Sequence, residues 1–180
     1  MKKLFDKKRK NKGFSLVELI VVVAIMAVLM AVLVPTLVSN VEKSRQQKDK
    51  TAIAELRHAI VNALADEACL DATVTNTSKS AATNGEVTIA ALFENATSDG
   101  NKAIIEKVSA TVGDSKITLT SKYEKATLQL VKFEPTDGIV ILQVTVADDT
   151  DNKLAFWIDS VGQHSGVYSG AAATTTASPS

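Results

Sequence analysis

Residues 12–38, KGFSLVELIVVVAIMAVLMAVLVPTLV, decide how the rest of this chain is organised. No side chain between positions 19 and 34 is polar, and apolar residues continue at positions 37 and 38, after Pro35. A helix needs about 20 such residues to cross a hydrocarbon layer of about 30 Å. The sequence therefore predicts one transmembrane helix in this stretch.

The basic leader, residues 1–13, carries seven lysines and arginines against a single acid, Asp6. Positive side chains that flank a transmembrane helix stay on the cytoplasmic side. We therefore expect a single-pass protein of the cytoplasmic membrane, with the residues that follow the helix on its outer side.

Glu18 is the one carboxylate in the apolar stretch. A lone carboxylate in hydrocarbon is unfavourable by several kcal/mol unless it has a partner. Two interpretations stay open at this point. Either Glu18 lies near the membrane interface and reaches water, or it is an unpaired charge that receives a cation from elsewhere.

Residues 13–19, GFSLVEL, resemble the prepilin (class III) signal of type IV pilins and of the pseudopilins of type II secretion. In that signal a glycine precedes the cut, a phenylalanine follows it, and a glutamate stands four residues further on. Gly13, Phe14 and Glu18 match these positions, and the basic leader and apolar run match the flanks. Pro35 stands where helices of this family commonly carry a proline, and we expect it to kink the helix.

The resemblance implies that a prepilin peptidase cuts between Gly13 and Phe14 and methylates the new amine of Phe14. That amine would then meet Glu18 of a neighbouring subunit, because a buried carboxylate is tolerated when it is paired. It also implies a homo-oligomeric helical filament, a membrane-bound precursor, and an assembly ATPase with its platform protein. The assembled product would be an extracellular pilus fibre.

The fold that the resemblance implies is an α+β, type IV pilin-like lollipop. Its long N-terminal α-helix packs on a C-terminal antiparallel β-sheet of about four strands. The expected segments are a prepilin leader at residues 1–13, a transmembrane or fibre-core half-helix at 14–38 and an amphipathic half-helix at 39–68. An αβ-loop connection at 69–115, a sheet head at 116–168 and a flexible tail at 169–180 follow.

Apolar periodicity supports these segments beyond the membrane helix. Ile53, Leu56, Ile60 and Leu64 recur at three- and four-residue steps, which predicts a helix face packed on a sheet. The charged residues 42–50, EKSRQQKDK, favour a solvated helix face.

Alternating and β-branched residues predict strands further along the chain. Short connections between them favour an antiparallel meander. The expected strands lie around Ile117 and Leu119, at residues 127–133, 139–147 and 154–158, with a short edge strand near Val167.

Charge and cysteine content narrow the function classes. Without the leader, 13 basic residues face 19 acidic ones, so the remaining chain is acidic and direct nucleic-acid binding is not expected. Cys69 is the only cysteine, so no internal disulfide can form. The chain has two histidines and neither a glycine-rich phosphate loop nor a paired-acid signature, so the sequence predicts no enzyme and no cofactor.

Asp148, Asp149, Asp151 and Asn152 form a weak calcium candidate, because calcium prefers such oxygen ligands. Asp and Asn also favour turns, and this spacing lacks the glycine and distal glutamate of an EF-hand, so the turn is the preferred interpretation. His58, Cys69 and His164 match no zinc spacing.

Our expected function is that of a structural subunit, a major pilin of a type IV pilus-like surface filament that serves adhesion or motility. The alternative within the class is a major pseudopilin of a type II secretion system. An alternative from another class is a membrane-tethered binding or sensor domain in which Glu18 is incidental.

Overall fold

The structure is a computed structural model that describes residues 14–74, 79–96 and 98–170, and no side chains at 94–96. The chain divides into two compact units, Met1–Val41 and Glu42–Ser180. The predicted leader at residues 1–13 and most of the predicted tail lie outside the described residues.

In the described part of the first unit the backbone is one α-helix, α1, whose full extent is Leu16–Ala63. It begins two residues after the start and ends five residues before the end of the two half-helices expected at 14–38 and 39–68. Pro35 lies inside the helix and removes one backbone donor, and the Thr36 hydroxyl donates to the carbonyl of Leu33 at 2.8 Å. The kink at Pro35 stays a prediction.

The described part of the second unit contains seven strands, one further helix and three short 3₁₀ helices. The helix is α2, Asp99–Val112, and the 3₁₀ helices are Glu67–Cys69, Ala90–Ala96 and Lys122–Lys125. The strands are β1 Lys79–Ala81, β2 Glu86–Thr88, β3 Lys116–Thr118, β4 Ala126–Glu134, β5 Ile139–Val146, β6 Phe156–Ile158 and β7 Gln163–Ser165.

The main sheet has five strands in the order β1-β4-β5-β6-β7, and every neighbouring pair is antiparallel. The last four strands form the predicted meander, because only short turns join them. The α+β class, with a long N-terminal helix and a C-terminal antiparallel sheet, is therefore confirmed.

Two details of the sheet differ from the expectation of about four strands. The strand predicted around Ile117 is β3, and it pairs with β2 in a separate two-stranded sheet. Its place at the edge of the main sheet is taken by β1, in a polar segment that was expected to be a loop. Three residues with one inward side chain, Ser80, carry too little apolar pattern to predict a strand.

The core of the second unit lies where α1 packs on the sheets. Three residues of the predicted stripe, Ile53, Leu56 and Ile60, are fully buried. The fourth, Leu64, is also buried, and it directly follows the end of α1. Each such side chain contributes about 1.5–3 kcal/mol when it leaves water. Two edge-to-face ring pairs add to the same core, Phe93 with Phe133 and Tyr123 with Phe156.

Asn84 and Gly85 form the turn that connects β1 to β2, and both residues have positive φ, 53° and 80°. Such values favour glycine. The carbonyl of Gly85 accepts from the amide of Leu119 at 2.7 Å. A Cβ at position 85 would stand 2.4 Å from the carbonyl oxygen of Leu119, so the backbone leaves no space for a side chain.

We expect Gly85→Ala to lower the free energy of unfolding by about 2–4 kcal/mol, because it adds a clash to a left-handed conformation. Gly138→Ala is the matched control: φ is +65° there, but no atom lies within 4 Å of the added Cβ. That control should lower stability by only about 1 kcal/mol. Denaturation of the detergent-solubilised chain, followed by fluorescence of Trp157, measures both, and equal losses would contradict the clash.

Candidate assembly site and its anchoring in the folded unit

The amino-terminal end of α1 carries the residues that the prepilin signal singles out. Phe14 is 88% exposed, and the helix begins two residues later at Leu16. A carboxylate oxygen of Glu18 accepts a hydrogen bond from the backbone amide of Ser15 at 2.9 Å. Glu18 therefore caps the first turn of the helix, where a negative charge is also favoured by the helix dipole.

This capping contact was not predicted, although its signature is present. Ser15 and Glu18 have the S-x-x-E spacing of a capping box, in which the acid returns to the backbone amide of the first residue. The contact places the carboxylate at the end of the helix where a cut after Gly13 would create a new amine. Gly13 lies outside the described residues, and the cut and the intersubunit pair stay predictions.

The rest of the first unit offers an apolar surface without a partner of its own. Every described residue from 14 to 41 is exposed, and α1 is long and apolar enough to cross a membrane by length and composition. Apolar side chains in such numbers do not stay in water, so a lipid layer or other protein helices must cover them.

Asp49 anchors α1 to the folded unit and corrects the prediction of a fully solvated face at residues 42–50. Its side chain is only 1% exposed. The carboxylate accepts from the amides of Thr120 and Ser121, at 3.0 and 2.8 Å, and from the Thr120 hydroxyl at 3.3 Å. A buried carboxylate with three donors is satisfied, which explains why a charge is tolerated there.

Glu42, about two turns before Asp49 in α1, contacts the same loop. Its carboxylate accepts from the backbone amide of Lys122 at 3.0 Å and from the Gln46 side chain at 3.1 Å. Tyr123, in the same loop, is buried, and burial, together with the charges of Asp149 and Asp49, raises the pKa of its phenol to about 12.

The calcium candidate forms a turn whose carboxylates already have protein partners. Asp149 accepts from the amide of Leu154 at 2.5 Å, Asp151 pairs with Lys153 at 2.8 Å, and Asp148 lies 3.7 Å from Lys125. Asn152 takes a positive φ of 52°, as Asn does in turns. Among the described residues, no three histidine, cysteine or acidic side chains are grouped to hold a metal ion.

We expect a calorimetric titration of the purified chain with calcium to give no binding heat, because these carboxylates already have amide or lysine partners in the chain. A parallel titration of the Asp149→Asn variant is the control for heats of dilution. Saturable heat in the unmodified chain that disappears in the variant would show that the turn binds calcium after all.

His58, Cys69 and His164, which were considered as zinc ligands, are not grouped in one site. His58 is exposed and Cys69 is buried, where desolvation and the charge of Asp66 raise the pKa of its thiol. His164 stacks on Trp157 with ring centres 3.9 Å apart, and its Nε2 lies 3.2 Å from the carboxylate of Asp159.

Comparison with known proteins supports the resemblance of the N-terminal stretch. Residues 8–34 match the prokaryotic N-terminal methylation motif. The chain is 46% identical over 54 residues to the type II secretion system core protein G of Vibrio cholerae serotype O1, and 41% identical over 53 residues to that of Aeromonas hydrophila.

The matched segments cover about 30% of this chain and 37% of each relative, so the alignment spans little more than a third of the relatives' length. No solved structure matches the chain. The similarity therefore supports the family and leaves the activity of the whole protein to be argued from its own residues.

Proposed function

Starting from a chain of the type IV pilin and pseudopilin family, we propose that this protein is the filament-forming pseudopilin of a type II secretion-like system. Its role is structural: the apolar halves of α1 bundle into the core of a short filament, and the acidic folded units cover its outside. The observation that carries the proposal is the methylation motif followed by an exposed apolar helix.

The relatives favour this role over the surface pilus that was our first expectation. Both are named type II secretion system core protein G, whereas support for a pilus exists only at the level of the family. A surface pilus differs in the length and location of the filament rather than in the chemistry of assembly, so it stays the competing outcome of the test below.

The proposed assembly uses three features of the first unit. A prepilin peptidase cuts between Gly13 and Phe14 and methylates the amine, which removes the basic leader and retains the apolar helix. The new cation pairs with Glu18 of a neighbouring subunit and sets the register of the two helices. Because the contact joins different surfaces of two identical chains, it can repeat from copy to copy, and it gives a helical filament where the rotation between copies does not close a ring.

Partners follow from the same route. We infer a prepilin peptidase at the cytoplasmic face, a platform protein that receives the precursor in the membrane, and an ATPase that drives extraction. The neutral transmembrane run explains why energy is needed, because moving about 20 apolar residues out of lipid is strongly unfavourable unless other helices replace the lipid.

We expect the mature chain to begin at Phe14, with a methyl group on its amine. Mass spectrometry of the N-terminal peptide, from sheared surface material and separately from membranes, tests this. A chain that begins at Met1, or after residue 38, would refute the proposal. Gly13→Val, which hinders the cut, should accumulate the precursor and serves as the processing control.

The distribution between the two fractions separates the two roles. Mature chain retained with the membranes, together with loss of protein secretion in a deletion strain, supports the pseudopilin. Mature chain in long sheared fibres, with secretion unchanged, supports the surface pilus.

A further inference from the structure

The part of α1 that follows the apolar run carries cations that the proposed function does not use. Lys43, Arg45 and Lys48, the basic collar, are all exposed. In the described part of the chain, none of their side chains donates a hydrogen bond or lies within ion-pair distance of a carboxylate. Lysine and arginine are usually scarce on the side of a membrane away from the cytoplasm, so membrane topology does not account for the collar.

The acidic residues of the same stretch point into the fold. Asp49 is 1% exposed and accepts from the amide of Ser121 at 2.8 Å, and Glu42 accepts from the amide of Lys122 at 3.0 Å. These two are the only acids between positions 42 and 54. Because both carboxylates bond backbone amides of the loop, the exposed sides of the helix are positive here.

Two other cations of α1 face inward and do not belong to the collar. Lys50 is half-buried with its Nζ 5.4 Å from the centre of the Phe156 ring, and burial lowers its pKa. Arg57 is 6% exposed, and its Nε donates to the carbonyl of Val140 at 2.8 Å. The cations of this helix therefore divide into an inward group with contacts in the fold and an outward group without them.

The loop that binds Asp49 and Glu42 adds no net charge to this surface. Lys122 and Lys125 are exposed, but so is Glu124, and Asp148 lies 3.7 Å from Lys125. The positive surface is therefore that of the helix alone.

The collar follows the apolar run closely enough to meet a membrane surface. It lies five to ten positions after Val38, the last residue of that run, which is about 8–15 Å along a helix. The headgroups add about 5–7 Å to each side of the hydrocarbon, and the Debye length at physiological salt is about 8 Å. Helical side chains also point back towards the N-terminus, here towards the apolar run.

The collar cations point to different sides of the helix. At 3.6 residues per turn, Arg45 and Lys48 lie about 200° and about 140° around the axis from Lys43. A lipid layer surrounds a helix and meets all of these directions, whereas one protein partner meets one side. This arrangement favours a lipid surface over the acidic surface of a second copy.

We propose that the basic collar binds the phosphate headgroups of anionic phospholipids at the membrane surface where α1 leaves the hydrocarbon. Lysine meets a phosphate as a point charge, and arginine offers a planar fork of donors. Each cation near an anionic surface strengthens binding about fivefold. The proposal concerns the membrane-bound chain, so it goes beyond the filament role and does not depend on it.

The test measures which lipids the full-length chain immobilises. The chain is reconstituted in phosphatidylcholine vesicles with a trace of spin-labelled phosphatidylglycerol or spin-labelled phosphatidylcholine, and electron paramagnetic resonance gives the immobilised fraction of each. The collar variant is Lys43→Gln/Arg45→Gln/Lys48→Gln, since glutamine keeps the helix propensity. The basic leader also attracts anionic lipid, but it is the same in every variant, so differences between variants report the collar.

We expect the collar variant to lower the preference for phosphatidylglycerol at least about threefold. In 1 M salt, where the Debye length is about 3 Å, this difference should disappear. The matched control, Lys79→Gln/Lys102→Gln/Lys153→Gln, removes three exposed cations elsewhere in the second unit and should leave the preference unchanged. Trp157 fluorescence of the reconstituted variants confirms that both fold.

Two results would overturn the lipid contact. One is an unchanged preference in the collar variant, and if that variant also formed fewer filaments in cells, the collar would instead bind an acidic surface of a second copy. The other is an equal loss in the control, which would assign the effect to net charge rather than to position. The vesicles contain no peptidase, ATPase or filament, so failure of this contact and failure of the filament role are seen separately.

Discussion

Replacement of Glu18 by alanine should reduce filament assembly at least about tenfold, the largest effect that we expect from a single exposed residue. Removing one partner of a pair that becomes buried leaves an uncompensated charge, here the amine of Phe14, and such losses reach about 3–5 kcal/mol. Filament yield, measured with N-terminal mass spectrometry to confirm that the variant is processed, gives the result.

Glu18→Gln separates the two roles that the structure allows for this side chain. The glutamine amide oxygen can still accept from the backbone amide of Ser15, as the carboxylate does at 2.9 Å, but it carries no charge. We expect Glu18→Gln to be about as defective as Glu18→Ala. Normal assembly of the glutamine variant would assign Glu18 to helix capping alone, and the intersubunit pair would have to be abandoned.

Asp49→Ala should lower the free energy of unfolding of the second unit by about 2–5 kcal/mol. The substitution leaves the backbone amides of Thr120 and Ser121 without their acceptor, and each unsatisfied buried donor costs about 1–3 kcal/mol. The loop that contains Tyr123 would lose this tie to α1. Denaturation of the detergent-solubilised chain, followed by Trp157 fluorescence, measures the change.

Glu42→Ala is the matched control for that prediction. Glu42 binds the amide of Lys122 in the same loop, but this contact is exposed, so water replaces the lost acceptor. The expected loss is about 0.5 kcal/mol or less. If the two variants proved equally destabilising, burial of Asp49 would not be the reason for its effect.

Most of the fold class could be predicted from particular residues. The apolar run at 19–34 determines a long helix in a membrane, because lipid satisfies no backbone group and the chain must satisfy them internally. The stripe of Ile53, Leu56 and Ile60 predicted the buried face of α1, and the alternating and β-branched residues at 127–133 and 139–147 predicted β4 and β5.

The pairing of short strands could not be predicted. β1 and β3 have three residues each, and three residues hold too little alternation to identify a partner strand. Whether β3 joins the main sheet or pairs with β2 depends on hydrogen bonds between segments that are 30 residues apart in the chain. In the structure Val87 pairs with Ile117. The spacing of apolar residues in the sequence does not show which strand β3 pairs with.

The sequence by itself determined the membrane helix, the processing motif, the α+β class and the proposed position of Glu18 in assembly, because each depends on local composition or on residues within a few positions. The tertiary structure alone decided the roles of Asp49 and Arg57. Both are charges on α1 that the sequence analysis did not predict to be buried. Each is buried because its partners, the loop at 119–125 and the carbonyl of Val140, come from strands and turns more than 60 residues away.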